Sequence, residues 1–577
     1  MEKQELSNLE EINTRQTDSH DDLKQVQTLE HVDLANRHAF KGDDSDGVIE
    51  WNARKLLACG FLCMLYTGSQ ILLYFVGGSL SYIVEDFGAT TGTGWLPTAN
   101  TLAIAAVCPF VGYLQDMFGK RYMALFGALL LCVGCAVLGS AHSFGQGVAG
   151  MAIAGAGAGI GELTGLAGLS EAVPVRQRGY SLAILTAFVF PFTPYVMYAQ
   201  LLSTRATWRW GPWISLIYNG ITMIGLAVTY FPHAHVRAEG LSRSAILKRI
   251  DFLGAFLSIV GLTLFLVALQ AGGYTHEWTS AYVLCTLFIG FFTIVAWCLW
   301  EWKGAKHPMI PLELFKGQRV VTFAYMVAFV AGMNFFSVLN FWPLMIQNVW
   351  TPDPVQVGLR GFVPALAVTI GAIFFNSMLS TWKGGARWIL FAASFINTCF
   401  AGAMSVVTPE NEITVIALGT VGGIGLGGLI VPSATVAMIA APDALITTCA
   451  ALSLSVRAVG GSIGYSIYYN IFANKLKAKL PTRIAEYAVK AGLPLASAKL
   501  FVETLLTKPE LVTGAAGVPG VTPAVLAGAA KGKQWAYGDS LQYVWYTTIA
   551  FGILSMTCSL LIPNTKKFQT NRVAVQL

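Results

Sequence analysis

Two residues of opposite charge, Glu162 and Arg457, lie deep inside long apolar stretches of the sequence. Ionisable side chains are costly in an apolar medium, so such residues are functional candidates by default. Because a carboxyl group in apolar surroundings can take up and release a proton near neutral pH, Glu162 is a candidate for proton coupling. Arg457 could neutralise Glu162 or Asp116, or it could bind an anionic part of a substrate. Alternatively, Glu162 pairs with a base beyond the end of its own segment, either Arg176 or Arg178.

A second concentration of charge is the stretch GYLQDMFGKRY at residues 112–122, which separates two apolar segments. It combines one acid, two bases and two glycines. Glycine permits a tight turn and the close approach of another backbone, while the bases can pair with acids. The carboxylate can meet the positive N-terminal end of a facing helix. The residues that carry this hypothesis are Gly112, Asp116, Gly119, Lys120 and Arg121.

Polar and aromatic side chains also interrupt three other apolar segments. Amphipathic small molecules suit cavities that are mostly apolar with a few polar anchors. Packing in the protein core is an equally reasonable role for any one of the tyrosines. Two prolines would kink their helix, which membrane helices tolerate where they line a cavity. The candidates for a substrate cavity are Gln70, Tyr74, Pro191, Pro194, Tyr195, Tyr198, Gln200, Asn334 and Asn340.

The elements that must position these residues are membrane helices. The chain has 577 residues, of which 55% are hydrophobic and 12% are charged, whereas a soluble domain carries about 25% charged residues. A helix needs about 20 apolar residues to cross the hydrocarbon core. A transmembrane barrel is excluded, because its strands alternate over about ten residues. The sequence contains fourteen such blocks, at 56–82, 95–114, 122–141, 147–172, 180–202, 211–231, 252–271, 281–300, 320–346, 357–379, 388–407, 413–437, 446–472 and 541–562.

The distribution of charge between these blocks predicts their orientation. Bases are concentrated after even-numbered blocks, as at Lys120 and Arg121, whereas the short connections after odd-numbered blocks carry acids such as Glu85 and Asp353. Loops rich in lysine and arginine stay in the cytoplasm. We therefore expect both termini to be cytoplasmic, in a multi-pass protein of the plasma membrane or, alternatively, of the vacuolar membrane.

Two segments differ from the apolar blocks. Residues 1–50 contain 13 acids and 5 bases, a net charge of −8, and they have neither the basic start nor the apolar core of a signal peptide. We predict a disordered acidic cytoplasmic tail there. Residues 473–540 are predicted to form a long extracellular loop that contains an amphipathic helix at 483–491 and a run of small residues. A loop of that length is usually functional or disordered.

Other patterns exclude several classes of function. GIGLGG at 423–428 matches a dinucleotide-binding pattern, but it lies inside an apolar block, so we interpret it as small residues at a helix interface. The glycines Gly155, Gly157, Gly159 and Gly161 have the same interpretation. The CxxC at Cys132 has no neighbouring ligand residues and no ATP-binding motif occurs. The sequence therefore predicts no metal, no cofactor, no nucleic-acid partner and no enzymatic activity.

Residues 112–122 read G-x-L-x-D-x-x-G-[KR]-[KR], which resembles the signature of the major facilitator superfamily. The stretch lies in the connection between the second and third apolar blocks, which is where the superfamily has its signature. TWRWGPWI (207–214), DFLGAFLSIVGLTLFLVALQAGG (251–273) and SLSVRAVGGSIGYSI (453–467) are similar to the fourteen-span drug:proton antiporters. HVDLANRHAFKGDDSDG (31–47), FVFPFTPYVMYAQL (188–201) and the long outer loop resemble the fungal trichothecene efflux pump family, whose close relatives are siderophore–iron transporters.

This resemblance implies an all-α fold of two six-helix bundles, at 51–231 and 311–562, with an inserted helix pair at 232–310 and a cytoplasmic tail at 563–577. The bundles would rock about a central cavity, and Asp116 would latch them together by meeting the thirteenth span. The implied function is proton-coupled export of amphipathic toxins or drugs, with trichothecene-like mycotoxins as the leading class.

Two alternatives stay open at this point. One is uptake of ferric siderophores by proton symport, which a long outer loop and a base in the cavity would fit. The other is a membrane sensor that binds a ligand without moving it.

The sequence departs from the usual motifs of the drug:proton antiporters at two places. The first block (LYTGSQILLYF) lacks an acid, and the fourth (GMAIAGAGAGIGE) lacks an arginine before its glycines. The proton-handling residues of other antiporters therefore do not transfer to this chain.

Overall fold

Long apolar blocks become α-helices in a bilayer because the backbone has no water there to satisfy its hydrogen bonds. The computed structural model describes residues 51–89, 94–232, 249–273, 275–311, 314–315, 319–507 and 518–571. The predicted tail at 1–50 lies outside these residues, as does the end of the C-terminal tail. Fourteen helical segments of the described chain are long and apolar enough to cross a membrane, which confirms the predicted number.

These segments are named spans 1 to 14 in chain order. Their bounds are Ala53–Asp86, Trp95–Phe118, Lys120–Gly139, Phe144–Glu171, Val175–Arg205, Trp210–Thr229, Phe252–Ala271, Ala281–Gly304, Arg319–Trp350, Pro354–Thr381, Ala386–Val406, Glu412–Ala440, Ile446–Lys490 and Pro523–Leu560.

Packing between the spans confirms the predicted architecture. Spans 1 to 6 pack against one another, and so do spans 9 to 14, while spans 7 and 8 form a closely packed pair. Span 7 lies against span 2 of the first bundle and span 13 of the second. The amide of Gln270 in span 7 donates to the carbonyl of Ser462 in span 13, at 3.0 Å. The inserted pair is therefore attached where the two bundles meet.

Proline interrupts span 5. Span 5 consists of helices Arg178–Ala187 and Tyr195–Arg205, separated by a 3₁₀ turn at Phe190–Phe192. Pro191 and Pro194 lie at this break, because a proline ring removes a backbone donor and disfavours the preceding helical turn. The predicted kink in span 5 is confirmed.

Glycines allow the helices of each bundle to approach closely. A Cβ added at Gly157 would lie 2.6 Å from the backbone nitrogen of Leu131 in span 3, and one at Gly155 would lie 2.7 Å from the Cα of Asn100 in span 2. In span 12, a Cβ at Gly425 would lie 2.8 Å from the carbonyl oxygen of Ala393. The glycine patterns of spans 4 and 12 therefore serve helix packing, as the sequence predicted.

The prediction of a long loop at 473–540 is wrong, although the helix predicted at 483–491 is present as the end of span 13. Span 13 continues as a helix to Lys490, a separate helix spans Leu495–Thr507, and span 14 begins at Pro523. These helices share a hydrophobic core of their own at the end of the molecule opposite Asp116, which includes Ile484 and Phe501. Within span 14, Gly528 and Gly532 face the backbone of span 13 and serve helix packing.

Close packing at Gly155 generates a stability prediction. Gly155→Ala forces a methyl group against the backbone of Asn100, which cannot move as a side chain can. We expect a loss of about 1–3 kcal/mol in the free energy of unfolding, seen as a lower melting temperature of the detergent-purified protein. Gly145→Ala is the matched control on the same helix, because a Cβ there meets nothing within 4 Å. Equal melting temperatures for the two variants would contradict the prediction.

Candidate functional site

The centre of the molecule holds an ion pair between the two bundles. Arg457 of span 13 donates from Nη2 to Oε1 of Glu162 in span 4, and these residues are only 9% and 1% exposed. The carbonyl of Arg457 in turn packs against Gly332 of span 9, where a side chain would collide with it. Of the open interpretations of these charges, the structure therefore selects the pairing of Arg457 with Glu162.

Beside this ion pair lies a cavity between the bundles. The lower part of this cavity is the part that reaches the ion pair, and it is lined by Gln70, Tyr66 and the ion pair itself. The upper part is lined by residues of spans 1, 5, 9, 10 and 12. The two parts form one space, named here the central cavity, because they share the lining residues Tyr74, Val189, Phe335, Val368 and Thr369.

The upper part of the central cavity has an aromatic and apolar wall. Tyr74 of span 1 and Tyr195 of span 5 stack there with ring centroids 4.8 Å apart. Trp342 of span 9 and Pro364 of span 10 lie on the side formed by the second bundle, and Thr193 adds a hydroxyl group. All described lining residues of the upper part are uncharged, and the charged residues that line the lower part are Glu162 and Arg457.

Asp116 closes the bundle interface at one end of the molecule. Its Oδ2 accepts hydrogen bonds from the backbone nitrogen of Thr448 at 3.0 Å and from the hydroxyl of Thr448 at 2.5 Å. Thr448 lies in the first turn of span 13, where backbone N–H groups lack helical partners and the helix dipole is positive. Gly112 of span 2 permits this approach, since a Cβ there would touch Ala451. Gly119 makes the turn into span 3 with a φ of +84°.

Two further polar links lie at the Asp116 end. Lys120 and Glu171 form a buried ion pair at 2.5 Å, and the hydroxyl of Thr447 in span 13 lies 3.4 Å from Glu171. Glu171 is the last residue of span 4, but it is only 1% exposed because spans 4 and 13 pack against each other.

The second link comes from Arg178 at the start of span 5. It donates to the carbonyl of Met438 in span 12 at 2.6 Å, and its guanidinium lies 3.6 Å from Asp443.

The side chain of Arg121 has different partners from that of its neighbour Lys120. It donates to the carbonyl of Ala227 and stacks on Phe231, so its contacts stay within the first bundle.

The space between the ion pair and the Asp116 end is filled by apolar side chains. Leu166 and Leu169 of span 4 belong to the same hydrophobic cluster as Met438, Ala450 and Leu454 of the second bundle. The central cavity is therefore closed at the Asp116 end, first by this cluster and then by the polar links.

Of the polar and aromatic residues that the sequence predicted for the cavity, some line a cavity and the others make contacts between helices. Gln70, Tyr74 and Tyr195 line the central cavity, and Asn340 lines a smaller space with Gln270. The remaining three hold the helices together instead: Tyr198 packs near Ile71 and Phe75, Gln200 donates to the carbonyl of Gly78 at 2.7 Å, and Asn334 accepts from Tyr468 at 3.3 Å.

Several cavity residues were missed from the sequence. On span 9 they form one helical face, Phe335, Val338, Leu339 and Trp342, which is the spacing of a stripe at i, i+3, i+4 and i+7. This spacing can be recognised in the sequence, but an apolar and aromatic helix face of this kind is also typical of a packed core. Thr448, Arg178 and Asp443 were missed as parts of the closed end, because their partners lie on other spans.

Fold and site together define the class of protein. The structure resembles that of the major facilitator superfamily proton:xylose symporter XylE with a TM-score of 0.53 and 11% identity, covering 89% of this chain and 96% of that one. This likeness shows that the protein has the major facilitator fold, with multiple membrane-spanning helices.

The sequence then gives the family. The sequence profile of the fungal trichothecene efflux pump family (TRI12) matches residues 55–577, and the chain belongs to that family. It is 27% identical to the MFS-type transporter prx5 of Penicillium rubens, over 91% of this chain and 93% of that protein. It is 24% identical to the trichothecene efflux pump TRI12 of Fusarium sporotrichioides, over 89% of this chain and 87% of that protein.

The contact between Asp116 and span 13 generates a prediction for transport kinetics. Asp116→Asn removes the negative charge that the helix end stabilises, a loss of about 1.5–3 kcal/mol for a charge-assisted hydrogen bond. We expect a lower maximal transport rate with little change in KM, because the contact lies away from the central cavity. Initial rates in proteoliposomes measure this, and an unchanged rate would contradict it.

Thr448→Val tests the same contact from the other side. It removes the hydroxyl donor but keeps the backbone donor, so we expect a smaller loss of rate than with Asp116→Asn. The double variant should be no slower than Asp116→Asn alone, since both changes affect one interaction. Thr448→Ser keeps the hydroxyl and is the matched control. Additive losses would show that Asp116 and Thr448 act independently.

Proposed function

We propose that this protein exports small amphipathic toxins or drugs in exchange for protons. The observation that carries the proposal is the ion pair between Glu162 and Arg457, which joins the bundles at the wall of the central cavity. A cavity that is open to only one side at a time, between two bundles that rock, is the general device of such transporters. An ionisable pair at that wall can couple the rocking to protonation.

The coupling follows from electrostatics. When the carboxylate of Glu162 takes up a proton, its attraction to Arg457 weakens and one link between spans 4 and 13 is lost. When the proton leaves, the charged pair forms again. Because an unpaired charge in an apolar site is costly, the charged pair favours the arrangement that brings spans 4 and 13 together. Proton uptake and release would thus bias the bundles between two arrangements.

The charge of the connections supports an orientation in which the Asp116 end faces the cytoplasm. The arrangement described here is then closed towards the cytoplasm, by Asp116, by Lys120 with Glu171 and by Arg178. In this orientation a proton arrives at Glu162 from outside, through the central cavity. After the bundles rock, the proton leaves to the cytoplasm and substrate enters from there.

The wall of the central cavity supports an amphipathic substrate over a ferric siderophore. Aromatic and apolar residues dominate its upper part and the lining residues there are uncharged, whereas siderophores are rich in oxygen and often anionic. Trichothecene-like sesquiterpenoids are the leading class, because one relative is named as a trichothecene efflux pump. The plasma membrane is the location at which export would remove a toxin from the cell.

A growth assay tests the direction and class of transport. The full chain is expressed in a toxin-sensitive yeast that lacks its own siderophore carriers. We expect increased tolerance of a trichothecene and no growth on a ferric siderophore as the only iron source. Growth on the siderophore without tolerance would overturn export in favour of uptake. A membrane-inserted protein that gives neither phenotype would overturn both transport functions and favour a sensor.

Glu162→Gln tests the coupling. The amide cannot exchange a proton, so we expect proteoliposomes with this variant to lose substrate accumulation driven by a pH gradient while they keep substrate exchange without a gradient. Glu412→Gln is the matched control, because Glu412 pairs with Arg360 at 2.5 Å within the second bundle, between spans 10 and 12. If gradient-driven accumulation by the Glu162 variant equals that of the wild type, Glu162 is not the coupling residue.

A further inference from the structure

A buried hydrogen-bond donor lies at the wall of the upper central cavity. Trp342 is 5% exposed, and its indole Nε1 makes no hydrogen bond within the described part of the chain. A buried N–H group without a partner is costly, and most such groups in proteins are paired. A donor of this kind beside a cavity indicates that a ligand supplies the missing acceptor.

The packing of the Trp342 ring fixes the direction of this donor. The far edge of its six-membered ring packs on Gly419 of span 12, where an added Cβ would lie 2.5 Å from Cη2. The opposite edge, which carries Nε1, faces Gly361 of span 10. Because the ring is held between spans 10 and 12, its N–H group cannot turn away to find another partner.

Gly361 leaves open space beside that N–H group. A Cβ at this position would lie 3.8 Å from Cδ1 and 4.0 Å from Nε1 of Trp342, which is ordinary van der Waals contact. Nothing in the protein therefore requires glycine here, although alanine is strongly favoured over glycine inside a helix. Both residues line the upper central cavity. The space beside Nε1 is thus available to whatever occupies the cavity.

We propose that Trp342 and Gly361 form a substrate subsite that binds an uncharged oxygen acceptor, such as a carbonyl, ester, ether or epoxide oxygen. This inference rests on the proposed function, since it assigns a role within the same cavity. The indole N–H donates to the oxygen, and Gly361 leaves the space in which that oxygen lies. A carboxylate is disfavoured because the upper cavity is lined by uncharged residues. The substrate class is a mostly apolar, neutral molecule that carries oxygen functions.

Two substitutions test the subsite from opposite sides, with a radiolabelled trichothecene as the probe in proteoliposomes of the full chain. Trp342→Phe keeps an aromatic ring but removes the donor, and we expect KM to rise about tenfold, the effect of one lost hydrogen bond, with a similar maximal rate. Gly361→Ala fills the space beside Nε1, and we expect KM to rise several-fold. The melting temperature of Gly361→Ala should stay equal or rise, which separates the effect from misfolding.

Two matched controls accompany these variants. Trp545→Phe removes another fully buried indole N–H that has no described partner, but Trp545 lies on span 14, away from the lining of the central cavity. Gly220→Ala adds a methyl group on span 6, where a Cβ meets nothing within 4 Å. We expect both controls to keep the wild-type KM.

The outcomes separate this inference from the proposed function. If the wild type transports the probe and neither Trp342→Phe nor Gly361→Ala changes KM, the subsite is overturned while export stands. If Trp545→Phe raises KM as much as Trp342→Phe, the effect belongs to core packing and the subsite is again overturned. If the wild type moves no trichothecene, the proposed substrate class fails and the subsite fails with it.

Discussion

A charge that is buried between two helix bundles holds them together only while its partner stays in place. In this protein Glu162 of one bundle meets Arg457 of the other where little solvent reaches either of them. Removing one member of a buried pair typically costs about 3–5 kcal/mol, because the other charge is left without compensation. The bundles can therefore separate at low cost only if the charge is neutralised or exposed to water. In the proposed mechanism, protonation of Glu162 neutralises the charge, and opening of the cavity exposes it to water.

The same constraint governs the Asp116 end. Asp116 is fully buried, and the first turn of span 13 donates hydrogen bonds to its carboxylate. A helix end supplies aligned donors without adding a charged residue that would need its own partner. The ion pair of Lys120 with Glu171, and the hydrogen bond from Arg178 to the carbonyl of Met438, add further paired groups at this end. Closure at this end thus consists of several paired groups, each of which must be re-solvated when the end opens.

Close backbone packing makes these pairings possible. Helices in a bilayer are not driven together by the hydrophobic effect, so small residues at their contacts matter more than in soluble proteins. Gly112 brings span 2 to span 13 at the Asp116 end, and Gly332 brings span 9 against the carbonyl of Arg457. Gly361 is different, since it meets no close neighbour and borders the cavity instead. Glycine therefore has two roles here, and only the structure tells them apart.

The sequence by itself determined the features that depend on local composition. Twenty-residue apolar blocks gave the number of spans, and the expense of a charge in hydrocarbon singled out Glu162 and Arg457. Only the tertiary structure decided the pairing of these two residues, which are 295 positions apart. It alone showed the burial of Glu171, the unbroken continuation of span 13 to Lys490, the helix Leu495–Thr507 and the place of Trp342 at the cavity. The physical reason is that an apolar helix looks alike in sequence whether its faces meet lipid, another helix or a cavity, and which of these each face meets is set by packing between distant segments.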